Sequence, residues 1–205
     1  MWYSETHHLI RTPRALTVDG VQHPANIFRA WSKPELLAIG IAPARVEVPD
    51  SRYYNTGAES YTFTDGEWVI SYATTEKNVD DLKADLIQKI KANVGALLAP
   101  SDWRVIREAD GGTVITDDWS EYRSEVRSHG NALEAEIVAI DALDNVRAFQ
   151  NHAVQEERYL STYDDEGAET IGPETETINR TVDKTYWGWP TAPDAVADPY
   201  HVGYL

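Results

Sequence analysis

The chain contains no cysteine. Disulfides, thiolate nucleophiles and thiolate metal ligands are therefore excluded. The absence also fits synthesis in a reducing cytoplasm. Long apolar runs are missing too. Nowhere does the sequence approach the roughly 18 uninterrupted apolar residues of a membrane span, so membrane insertion is not expected. The opening Met1-Trp2-Tyr3-Ser4-Glu5 lacks the basic and apolar regions of a signal peptide. Positive charge is scarce: 18 Lys and Arg stand against 34 Asp and Glu, giving a formal charge of −16. A field of that sign repels phosphate backbones, so nucleic acid is not an expected ligand.

Catalytic motifs are absent as well. There is no G-x-S-x-G elbow, H-E-x-x-H, phosphate-cradling loop or dinucleotide fingerprint. His7-His8 would point to opposite faces of a strand and make a poor metal site. Asp164-Asp165-Glu166-Gly167 lacks the alternating ligand spacing of a calcium loop and reads as a solvated acidic turn. No metal or cofactor is expected. Carboxylates are plentiful, which keeps a hydrolase with a glycosidase-type pair as the alternative class. Nothing singles out one pair.

What is present is a chain of 205 residues, 42% apolar, long enough to bury a sizeable core. Residues 1–76 read as a β-rich domain. Asp19-Gly20 between Leu16-Thr17-Val18 and Val21-Gln22 signals a two-residue hairpin. Asp65-Gly66 does so more strongly, and such a turn sets Phe63 opposite Trp68 and Tyr61 opposite Ile70. Cross-strand pairs of this kind stabilise a sheet by roughly 0.2–1 kcal/mol each. Ser32-Lys33-Pro34-Glu35 is a capping box that opens a short helix, and Gly40 stands where a C-cap is wanted.

Residues 77–160 read as helical. Asn78 caps Val79 to Ala99, with Val79, Leu82, Leu86, Ile90, Val94 and Leu97 on one face, and Pro100 stops it. A second helix, Asp117 to Ser128, places Trp119, Tyr122 and Val126 on one side, and His129-Gly130-Asn131 interrupts it. A third, Ala132 to about Tyr159, carries two apolar stripes: Leu133, Ile137 and Ile140, then Val138, Ala142, Phe149 and Ala153. A helix buried in two directions is expected to touch two things, the second a partner chain. Residues 161–205 read as an acidic, extended C-terminal arm. Gln155 to Leu205 hold eleven Asp and Glu against three Lys and Arg, half the net charge of the chain. That excess reads either as a solubilising tail or as a segment that docks on a basic surface.

Arg123 and Arg127 lie four apart on one helix, with no acid three or four residues before either. They are either solvated, with Arg123 stacked on Trp119, or paired with carboxylates of the acidic tail or of a partner. Trp103, Trp119 and Tyr122 read either as the aromatic core of a helical hairpin or as anchors for another protein. Trp187-Gly188-Trp189-Pro190 adds two tryptophans to a segment otherwise poor in pattern.

These residues carry a resemblance. Leu97-Leu98-Ala99-Pro100-Ser101-Asp102-Trp103, then Trp119-x-x-Tyr122-Arg123-x-x-x-Arg127, then Trp189-Pro190-Thr191-Ala192-Pro193 resemble the bacteriophage tail assembly chaperone module. Pro24-Ala25-Asn26-Ile27-Phe28, with Trp31-Ser32 and Glu35-Leu36-x-Ala38-Ile39-Gly40-Ile41, is similar to the opening of phage tail-fibre accessory proteins. The resemblance touches about two-thirds of the chain. It departs at His129 to Thr185, which separates the Arg helix from a W-P-x-x-P element that in the family follows closely. The resemblance implies a non-enzymatic protein that binds a tail-fibre or baseplate protein, as a chaperone or a resident subunit. Its place would be the virion tail, or the host cytoplasm during assembly. Trp103, Trp119, Tyr122, Arg123, Arg127, Trp187, Trp189 and Pro190 are the expected contact residues. The alternative becomes a tail-borne hydrolase of cell-surface glycans. The expected fold is α+β: a small antiparallel β-rich part, a helical middle and an extended arm.

Overall fold

The computed structural model describes residues 1–163 and 169–195, and at 159–163 and 169–174 the backbone alone. The acidic turn expected at Asp164 to Gly167 lies outside them. The architecture is mixed α+β, with strands first and a helical middle. The chain forms two compact units, Met1–Lys77 and Asn78–Leu205. The expected boundary at 76/77 lies one residue away. The boundary expected at 160/161 falls inside a strand.

In chain order the first unit contains β1 (Trp2–Ser4), β2 (His8–Ile10), β3 (Leu16–Val18), β4 (Val21–His23), α1 (Ile27–Ala30), α2 (Lys33–Ala38), β5 (Ala42–Val46), β6 (Tyr54–Thr64) and β7 (Glu67–Glu76). Five strands make one sheet in the order β2-β1-β5-β7-β6, and β3 and β4 pair apart from it. The expectation of an antiparallel part holds except for β5 and β7, which run parallel. Both expected hairpins form. Asp19, Gly20, Asp65 and Gly66 all have positive φ, as type I′ turns demand. Phe63 faces Trp68 and Tyr61 faces Ile70. The capping box closes through Ser32 Oγ and Ser32 N, each donating to Glu35 Oε2 at 2.7 Å; the hydroxyl first and then the backbone N–H hold the Glu35 carboxyl below its usual range. At the other end Gly40 turns left-handed, and its N–H and that of Ile41 donate to Leu37 O and Leu36 O. Ile10, Leu16, Ile27, Phe28, Leu36 and Ile41 form the main core.

The second unit contains α3 (Val79–Leu98), a 3₁₀ turn (Ala99–Ser101), α4 (Asp102–Ala109), α5 (Asp117–Val138), α6 (Leu143–Gln150), β8 (His152–Tyr163), β9 (Glu169–Val182) and a second 3₁₀ turn (Lys184–Tyr186). Asn78 caps α3 by accepting from Asp80 N at 2.7 Å. α3 and α5 run antiparallel. Lys83 Nζ meets Ile140 O at one end, and Arg123 meets Leu98 O at the other.

Two expectations fail here, each for a tertiary reason. α5 does not break at His129-Gly130-Asn131 but runs through it. Gly130 is there for closeness rather than flexibility: an added Cβ would stand 2.6 Å from a Val94 methyl on α3. Gly130→Ala is therefore expected to destabilise the protein by about 1 kcal/mol in urea denaturation, although alanine is the better helix former. The expected third helix is two helices and a strand. α5 ends at Val138, where Lys83 Nζ crosses from α3 to cap the carbonyls of Val138 and Ile140 at 3.0 and 2.8 Å. The first apolar stripe belongs to the end of α5 and its exit, and Phe149 to α6. Val138 is exposed. No continuous two-faced helix exists to seat a partner chain. The acidic segment is extended over 169–182 as expected, and it lies along its own chain: β9 pairs antiparallel with β8 from Val182 opposite His152 to Glu169 opposite Tyr163.

Candidate functional site

The three motif segments meet inside the second unit. Trp119, Tyr122 and Val126 on α5 form a buried cluster, packed against Leu97 and Leu98 of α3 and against Trp189 and Ala192 beyond the last 3₁₀ turn. The rings of Trp119 and Tyr122 meet edge-on at 5.6 Å. Tyr122 Oη donates to Leu97 O at 3.2 Å, and burial pushes its phenol pKa up, with Asp194 adding in the same sense. Trp189 Nε1 donates to Thr185 O, which also accepts from Asn93 Nδ2. Its ring stands edge-on to His129 at 4.7 Å. The long departure at His129 to Thr185 thus leaves and returns beside the same turn of α5, and the W-P element reaches the cluster.

Arg123 is only 6% exposed. Its guanidinium donates to Leu98 O at 2.9 Å, to Ser101 Oγ at 2.5 Å and to Asp102 Oδ1 at 2.8 Å. It thereby ties α5 to the 3₁₀ turn that ends α3. The side chains of Trp119, Tyr122 and Arg123 are buried within the chain and that of Trp189 is half-buried in the same cluster, so three of these expected contacts offer little surface to a partner. The helical-hairpin alternative holds for Trp119 and Tyr122. Arg123 does find a carboxylate, but it is that of Asp102. Arg127 is exposed and donates back to Arg123 O at 3.2 Å. Trp187 and Pro190 are half-buried, and Arg180 stacks over the Trp187 ring at 4.7 Å.

Trp103 differs. It stands on α4, is 49% exposed, and α4 buries none of its residues. Val105 and Ile106 beside it are also exposed. The Arg107 guanidinium lies 4.8 Å from the centre of the Trp103 ring, and that of Arg104 lies 4.7 Å from the same ring and 4.5 Å from the Trp119 ring. Arg104, rather than Arg123, is the cation on Trp119. Among the described residues neither Arg104 nor Arg107 forms an ion pair. In so acidic a chain, two half-buried arginines held against aromatic rings and outside any ion pair make a basic and aromatic face.

Sequence reasoning missed α4, Arg104 and Arg107. The signal was there in Ser101-Asp102-Trp103-Arg104-Val105-Ile106-Arg107, a capping residue and an acid before a short amphipathic run. Pro100 reads as a stop. It also sits in the first turn of the next element, where a missing N–H costs nothing.

Comparisons with protein-family models, with curated proteins and with solved structures find no match. Among the described residues no helix is long and apolar enough to cross a membrane.

Proposed function

We propose that the chain is a non-enzymatic bacteriophage tail protein that binds a tail-fibre or baseplate protein and supports its assembly or attachment. The observation that carries this reading is the α4 face, where the exposed Trp103 stands between two half-buried arginines that form no ion pair among the described residues. The resemblance of the motif segments supplies the tail context. Binding would work by surface burial, with Trp103 as the anchor, since Trp and Arg dominate interface hot spots. Trp187 and Pro190 contribute only their exposed portions.

The direct test uses the tail-fibre and baseplate proteins of the source phage. The double variant Trp103→Ala, Arg107→Ala is expected to weaken the complex about 30-fold or more, as loss of a hot spot does. Stability should change by less than about 1 kcal/mol, because neither Trp103 nor Arg107 is buried. Unchanged affinity would remove α4 from the interface, and failure of every tail protein to bind would remove the reading. Mass spectrometry of purified particles separates the two roles. A fixed copy number per virion marks a resident subunit, and absence from infectious particles marks a departing chaperone.

A further inference from the structure

The first unit holds a second feature with unsatisfied chemistry. A pocket of about 340 Å3 opens between the β1–β2 turn, the β3–β4 turn, the end of α2 and the β6–β7 hairpin. Its apolar wall is Leu37, Phe63 and Trp68, the two rings meeting at 5.3 Å and 52°. Phe63 remains 45% exposed even though it sits on the face of the sheet that carries Tyr3 and Trp68. The polar lining includes Glu5 and Asp19, both exposed at turns, and the half-buried His7, and no Lys or Arg. Among the described residues neither carboxylate is in an ion pair.

His7 Nε2 lies 2.8 Å from Thr17 O. A carbonyl only accepts, so Nε2 carries a proton. Asp19 is held in its place by a left-handed backbone in a two-residue turn. The lining therefore offers acceptors and negative charge beside aromatic faces. The complementary group is a cation on an apolar stem: carboxylates bind it by charge-assisted hydrogen bonds, rings attract it, and the Leu37 wall receives the methylenes. The volume is at the low end for ligand pockets, enough for one such group.

We propose that this pocket receives a single arginine or lysine side chain from a protein partner. The proposal deepens the partner-binding reading and rests on it. A chain of charge −16 favours a basic partner surface, and the pocket fixes where one cation of that surface lands.

The full chain is titrated with N-acetyl-arginine-N-methylamide and its lysine counterpart, followed by Trp68 indole and Gly40 amide NMR shifts. Saturable binding is expected, weakened about tenfold or more by Glu5→Gln with Asp19→Asn. Asparagine tolerates the left-handed backbone at 19, so the turn survives. Retained hairpin shifts show that the fold is intact. No saturation overturns the proposal. So does equal binding of the norleucine counterpart, which would make the pocket merely apolar. Agmatine binding tenfold tighter than the capped arginine would indicate a small-amine site and overturn the protein source. Probe failure with tail-protein binding intact removes the pocket alone. Probe saturation with no tail protein bound removes the partner reading and, with it, the assigned source of the cation.

Discussion

Arg123→Ala is expected to destabilise the second unit by about 3 kcal/mol in urea or guanidinium denaturation. The guanidinium is almost fully buried, and its acceptors differ in kind: a helix-end carbonyl, a hydroxyl and a carboxylate. Truncation takes a charged donor from Leu98 O and from the fully buried Ser101 Oγ, which then keep only the 2.8 Å bond between them, whereas Asp102 is half in water and can be resolvated. The loss therefore comes from weakened rather than stranded acceptors and from the cavity left by the buried guanidinium. Lysine should not rescue it, because one ammonium cannot span a fork of acceptors. A loss below about 1 kcal/mol would show that the α3 end is held by helix packing alone.

Trp189→Ala is expected to cost about 3 kcal/mol, at the lower bound for an aromatic truncation because the ring is half-buried. The ring closes the cluster over Trp119, Tyr122 and Val126, and its N–H holds Thr185 O. Deleting Tyr186 to Leu205 removes the same ring, so the melting temperature should fall by several degrees. A separable docking arm would leave it unchanged. Thermal unfolding of the truncated chain decides between them.

Much of this fold is legible in the sequence wherever the governing physics is local. Asp65-Gly66 requires positive φ at both positions, and that alone fixes the register placing Phe63 against Trp68. The capping box at Ser32 and the left-handed Gly40 are likewise decided within a few residues. The α3 and α5 stripes are legible because a 3.6-residue period needs no knowledge of what it packs against. The candidate surface is less so. Trp103, Trp119 and Tyr122 look alike as letters, yet one is exposed and two are core.

Composition and local pattern set the class of the molecule: acidic, cysteine-free, strand-rich first and helical in the middle. They also located the aromatic and arginine segments that any account must explain. The tertiary structure decided what those residues are for. Gly130 is a close approach to Val94, Lys83 ends α5 from another helix, and β9 exists because β8 lies beside it. Each depends on a group distant in the chain. An arginine becomes a staple or a free cation according to whether a carbonyl and a carboxylate are folded to within 3 Å of it, and residue spacing along the chain does not encode that.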